Sequence, residues 1–130
     1  MLTDEALLQM AIDVRDRAYC PYSGFAVGAA LLCDDGTVYT GVNIENAAYG
    51  PSICAERTAI FKAVSEGHHG FTKLAVVCDR DYCQPCGTCR QVLWEHAPDL
   101  EILMGGLDGG FRRTTIRALL PEAFRLKEAG

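Results

Sequence analysis

Apolar side chains recur three and four residues apart at Leu7, Met10, Ala11, Val14 and Ala18, which predicts an amphipathic helix over residues 4–18. Thr3 stands where a capping hydroxyl belongs, and Asp4 and Glu5 suit the positive end of the helix dipole. The helix has to stop before Cys20-Pro21, because a residue preceding proline is pushed out of the α region. Residues 21–24 carry turn chemistry. The period then changes. Residues 25–33 form an almost unbroken apolar run, and residues 37–42 alternate more weakly. Asp34-Asp35-Gly36 between them marks a hairpin, so these two strands are expected to be antiparallel neighbours. Asn43, Asn46, Gly50 and Pro51 make residues 43–52 a loop. A second helical face follows Cys54 at Ala59, Ile60, Ala63 and Val64 and closes at Gly67. Residues 74–78 read as a buried strand, residues 79–84 as a polar loop, and residues 86–96 as a helix stopped by Pro98. Residues 100–104 form another strand, Asp108-Gly109-Gly110 turn the chain, and residues 111–115 pair as the last strand. Residues 116–127 hold short helical pieces interrupted by Pro121.

Strands that alternate with helices put helices on the faces of a sheet, and the hairpin makes that sheet mixed rather than fully parallel. No linker, repeat or low-complexity stretch divides the chain, so residues 1–130 are expected to form one α/β domain. A hydrophobic share of 49% and a charged share of 22% are those of a soluble globular protein. No apolar run approaches the ~20 residues of a membrane span. The formal charge of −5 opposes a polynucleotide partner, which needs a basic face, and leaves room for a small neutral substrate. Met1 to Glu5 lacks the basic and apolar regions of a signal peptide. With seven cysteines, an odd number, the expectation is a reducing, cytoplasmic setting and no disulfide framework.

The chemistry concentrates in Cys54-Ala55-Glu56 and Pro85-Cys86-Gly87-Thr88-Cys89. Both segments fall at helix starts, where free N–H groups and the dipole favour the thiolate that binds metal. Cys86 and Cys89 lie three apart, so a first helical turn puts both sulfurs on one side. Three protein ligands leave one tetrahedral position open, the catalytic pattern for zinc. Glu56 is placed to reach a water at that position as general base and acid. Loops leading from strand ends into helix starts also make the polar pockets in which α/β proteins hold ligands. Other readings stand beside this one. The cysteines would form a structural zinc site if Cys83 or a histidine supplied a fourth ligand. Cys86 and Cys89 also have redox-motif spacing, although that leaves Cys54 idle. Cys33 and Cys78 end apolar runs and read as small buried hydrophobes. His68, His69 and His96 lie near helix ends without ligand spacing, and Trp94 reads as a packing residue.

The two metal segments resemble the zinc signature of the cytidine deaminase superfamily. Phe25-Ala26-Val27-Gly28-Ala29-Ala30, Asn43-Ile44-Glu45-Asn46, Cys54-Ala55-Glu56-Arg57-Thr58-Ala59, Cys89-Arg90-Gln91 and Leu119-Leu120-Pro121-Glu122-Ala123-Phe124 resemble its small free-nucleoside branch, and the likeness spans nearly the whole chain. The resemblance implies a three-layer α/β/α fold on a mixed, five-stranded sheet. It also implies one Zn2+ per subunit on Cys54, Cys86 and Cys89. Zinc-bound hydroxide would attack C4 of cytidine or deoxycytidine in pyrimidine salvage, and Glu56 would shuttle protons to N3 and to the departing ammonia. Asn43 and Glu45 would hold the ribose hydroxyls, Phe25 would pack on the base, and the Ala55 backbone would meet its polar edge. Phe124 would come from a neighbouring subunit of a homotetramer with shared sites. Three thiolates and Zn2+ sum to −1, which weakens the Lewis acid unless a cation touches the sulfurs. Arg57 and Arg90 both directly follow metal-motif residues, and Arg57 resembles the family arginine in this role. The rivals are a deaminase of a cytosine-nucleoside antibiotic and a zinc-binding module without catalysis. The stretches at residues 79–84 and 105–113 depart most from the family pattern.

Overall fold

A computed structural model describes residues 2–126. In chain order it contains α1 (Asp4–Val14), a short 3-10 turn (Arg15–Arg17), β1 (Gly28–Cys33), β2 (Val38–Val42), α2 (Ala55–Ser65), β3 (Phe71–Cys78), α3 (Gly87–His96), β4 (Glu101–Gly106), β5 (Phe111–Thr115) and α4 (Ile116–Leu119). The five strands form one sheet in the order β2-β1-β3-β4-β5. β1 is antiparallel to both β2 and β3, β3 and β4 are parallel, and β5 returns antiparallel to β4. The α/β class and the mixed five-stranded sheet are therefore as expected.

Alternation along the strands sorts the core into two layers. Ala29, Leu31, Leu74, Val76, Ile102 and Met104 face α2 and α3, where they meet Ala59, Ile60, Ala63 and Leu93. Ala30, Ala75, Val77 and Leu103 face the other way, onto Leu7, Leu8 and Ala11 of α1. The leucines here are fully buried, and each contributes about 1.5–3 kcal/mol relative to exposure. β3 is hidden on both faces, which explains its unbroken apolar run.

The punctuation residues behave as their chemistry requires. Thr3 caps α1 by accepting from the Ala6 N–H. Gly36 turns the hairpin at φ 92°, while the Asp35 carboxylate accepts from the Thr37 N–H. Gly67, also at φ 92°, donates to Val64 and the His68 N–H donates to Ala63, the paired closure of a Schellman end.

Boundaries differ most in four places. α1 ends at Val14 and tightens into the 3-10 turn, because Ala18 turns to extended backbone at ψ 140°. β1 begins at Gly28 rather than at residue 25, because side chains instead of a neighbouring strand hold Phe25 to Val27. β3 starts three residues early, at Phe71, where it pairs with Cys33. In the C-terminal region only Ile116–Leu119 is helical among the described residues, and Lys127 lies outside them.

Register decides where function can sit. Gly28 is opposite Val42 on one side and Val77 on the other, so the start of β1 and the ends of β2 and β3 share one edge. Residues 25–27, 43–54 and 79–86 therefore converge there.

An ion cluster pins α1 at the opposite layer. Asp4, 13% exposed, pairs with both Lys73 of β3 and Arg113 of β5, and Arg113 also reaches Glu101. The Lys73 contact first, and then Arg113, hold the Asp4 carboxyl below its ordinary value of 3.8. A depressed acid stabilises the fold fully above its unfolded value and loses that contribution as pH falls through the folded one. Asp4→Asn is expected to destabilise the protein by about 1 kcal/mol at pH 7. The difference should vanish in urea titrations run well below pH 3.8, and an undiminished difference there would refute the ionic account.

Candidate active site

Cys54 and Cys86 are the N-cap residues of α2 and α3, both with extended backbone. The Cys54 sulfur makes no capping bond, and the Cys86 sulfur accepts from the Cys89 N–H at 3.5 Å. Each of these two sulfurs thus stands at a helix start. The Cys54 and Cys86 sulfurs are 3.7 Å apart, Cys86 and Cys89 are 3.4 Å apart, and all three lie within 4.8 Å of one another. Arg57 places Nη2 3.4 Å from the Cys54 sulfur. The Cys54 thiol is pulled down to about 5, first by the Cys89 hydrogen bond and also by Arg57, although burial opposes the shift. Cys89 moves the opposite way, since it donates to Cys54 and is buried. Cys54 therefore favours the thiolate while Cys89 holds its proton, and the three sulfurs together form a soft donor set suited to a cation.

Close backbone approach positions this cluster. A Cβ on Gly41 of β2 would lie 2.4 Å from the Ala55 carbonyl oxygen and 2.6 Å from the Ala59 nitrogen. Only glycine lets α2 lie this deep, and that depth sets where Cys54 ends up.

Glu56 is the one buried charged side chain among the described residues, at 4% exposure. Burial pushes its carboxyl up to about 7, and the nearby Cys54 adds to the rise while Arg57 opposes it. A cavity of about 300 Å³ joins Glu56 to Phe25, Asn43, Glu45, Cys54, Ala55 and Cys86. Asn43 is committed on both ends of its amide. Oδ1 accepts from the Val27 N–H at 2.8 Å and Nδ2 donates to the Phe25 carbonyl at 2.7 Å. Glu45 accepts from the N–H groups of Tyr22 and Ser23 and from the Ser23 hydroxyl, which hold its carboxyl below the usual range.

The structure therefore gathers Cys54, Cys86, Cys89, Glu56, Phe25, Asn43, Glu45 and Ala55 at one edge, with Arg57 beside the sulfurs. Phe124 is not brought there; it is 66% exposed, and its carbonyl accepts from Gln91. Arg90 does not touch the sulfurs either. It donates to the carbonyls of Pro85 and Leu119, which ties the Cys86 segment to the end of α4. Cys33 and Cys78 are buried as expected. Cys83 is buried too, outside the sulfur cluster, with its thiol raised by burial and by Cys78. His68 is nearer to ligand atoms than its spacing implied, grouped with Cys33 and Asp35. There, however, Asp35 is engaged by Thr37, and burial keeps the Cys33 thiol protonated. Sequence reasoning missed Ser23, Val27 and Gln84, which also line the cavity. A turn serine two residues before Phe25 was the one available hint of the first.

Three convergent thiols with an acid–base group at their edge suit a metal-assisted hydrolase. The cytidine and deoxycytidylate deaminase zinc-binding region matches residues 1–103, and the chain belongs to that family. A cytidine deaminase of Halalkalibacterium halodurans is 49% identical over 126 residues, 95% of this chain and 96% of the relative. One from Sporosarcina psychrophila is 50% identical over 122 residues, 92% of this chain and 90% of the relative. The crystal structure of cytidine deaminase from Burkholderia pseudomallei superposes with a TM-score of 0.91 at 46% identity, covering 94% of this chain and 99% of that one.

Gly41→Ala is expected to lift α2, lowering stability by about 1–3 kcal/mol and loosening metal retention. Metal analysis after dialysis, with thermal melting alongside, checks it; unchanged values would mean that α2 absorbs the methyl group. Arg57→Gln is expected to lower turnover roughly tenfold or more with metal retained. Loss of the metal instead would make Arg57 a structural support of Cys54.

Proposed function

We propose that this chain hydrolyses cytidine and 2′-deoxycytidine to uridine and 2′-deoxyuridine, releasing ammonia, with one zinc ion per subunit held by Cys54, Cys86 and Cys89. The observation that carries this reading is Glu56, buried beside the thiol cluster on the floor of a nucleoside-sized cavity. Zinc, when bound, lowers the pKa of a water enough to supply hydroxide near neutral pH. The chain's own residues do the rest. Glu56 accepts the water's proton, passes it to pyrimidine N3, and then helps the amine leave. A carboxyl that burial makes easier to protonate suits both directions of transfer. The Ala55 backbone meets the polar edge of the base and Phe25 packs against its face. Glu45 and Asn43 hold the ribose hydroxyls. Asn43 has spent Oδ1 and one amide hydrogen on the backbone, so it offers the ribose its second Nδ2 hydrogen.

In this reading the protein works in cytoplasmic pyrimidine salvage as a homotetramer, and Phe124 completes a neighbour's site. The exposure of Phe124, Tyr49 and Tyr22, all bulky and apolar, supports burial against a second copy. No described helix is long and apolar enough to cross a membrane. The acidic balance disfavours a polynucleotide substrate.

The test is the fall in cytidine absorbance on mixing with purified, zinc-loaded protein, beside Glu56→Gln. Turnover by the parent is expected, with a loss of about 10²–10⁴-fold or more in the variant and zinc content unchanged. No turnover of cytidine or deoxycytidine by the folded, loaded parent would instead favour an antibiotic nucleoside as substrate, or a module without catalysis.

A further inference from the structure

Arg80 has no part in the chemistry above. It lies in the loop from β3 to Cys86, a stretch with little sequence pattern, and is exposed. Its guanidinium carbon sits 5.1 Å from the centroid of the Phe25 ring. Among the described residues no carboxylate lies within ion-pair distance of it, although Asp79 and Asp81 flank it in sequence. Phe25 stands between two hollows. One is the cavity of about 300 Å³ that contains Glu56; the other, about 270 Å³, is lined by Arg80, Tyr82, Gln84 and Arg90. The Phe25 backbone is pinned twice, its N–H donating to the Ser23 hydroxyl at 3.0 Å and its carbonyl accepting from Asn43. Those bonds place Cα and leave the ring free to tip into the second hollow. Something has to cover the outer face, and the ring's negative π-cloud there suits a cation.

We propose that Arg80 is a positioning residue, whose guanidinium covers the outer face of Phe25 and holds the ring as a fixed wall for the base. The proposal rests on the nucleoside reading. A ring held in place offers the base a preformed surface, so the effect falls on binding rather than on the chemical step. The size follows from a contact at an exposed site, about two- to fivefold in population.

The experiment measures initial rates against cytidine concentration for Arg80→Met and Arg80→Lys. Arg80→Met is also made together with Phe25→Leu. Arg80→Met is expected to raise KM about two- to fivefold, with kcat within about twofold of the parent. Arg80→Lys, which keeps the cation, should recover most of the loss. On the Phe25→Leu background Arg80→Met should leave KM unmoved, because no ring remains to hold. An unchanged KM with Phe25 present, or an equal rise on both backgrounds, overturns the proposal. A second readout does not need turnover: the aromatic 13C resonances of Phe25 in the zinc-loaded, substrate-free protein. They should shift in Arg80→Met and return toward the parent in Arg80→Lys; resonances unmoved in Arg80→Met count against the proposal. A parent inactive on cytidine would sink the nucleoside reading alone, and the Phe25 resonances would then decide the role of Arg80.

Discussion

Two helix starts have to meet sulfur to sulfur, and most of the fold serves that meeting. Cys54 and Cys86 are 32 positions apart in sequence, yet their sulfurs are separated by 3.7 Å. Antiparallel pairing of β1 with both its neighbours brings the ends of β2 and β3 to one edge. Gly41 then lets the α2 backbone approach β2 as closely as the space a Cβ would fill. Each helix begins with its free N–H groups facing the cluster, and so contributes partial positive charge where thiolate is wanted.

That arrangement carries electrostatic tension. Cys54, Cys89 and the buried Glu56 carboxyl share one small volume, and charge on Cys54 raises the other two. The opposed shifts of Cys54 and Cys89, with the upward shift of Glu56, express it. Arg57 relieves part of the tension through Cys54. A divalent cation held by the three sulfurs would relieve the remainder.

The cavity walls are built differently from its floor. Helix starts supply the floor, whereas the walls come from loops outside the sheet, where Ile44 bridges only to Tyr19 and Ile53. Side chains supplement those few backbone bonds. Asn43 bonds twice to the segment at residues 25–27, and Glu45 bonds to Tyr22 and Ser23. The same polar groups therefore shape the cavity and remain partly free inside it. This double use accounts for the dense Asn-Ile-Glu-Asn segment in a region that otherwise reads as loop.

What the sequence determined by itself was local. The period of apolar residues specified the helices and strands, because burial on one face requires it. Gly36 and Gly67 marked their turns through the conformation only glycine adopts freely. Cys86 and Cys89 declared themselves by spacing, since one helical turn relates them. Other features were decided in three dimensions. Cys83 stands as far from Cys86 as Cys86 does from Cys89; the fold buries Cys83 beside Cys78 and presents Cys86 at a helix start. Arg57 and Arg90 occupy similar places in their motifs, yet only Arg57 reaches sulfur, because the two helices present these positions to different neighbours. Phe25 belonged to an apolar run that read as strand, but the ladder begins at Gly28 and frees the ring to line a cavity. Spacing along a chain fixes direction only within one element. Between elements, sheet register and the depth of helix packing decide which side chains meet.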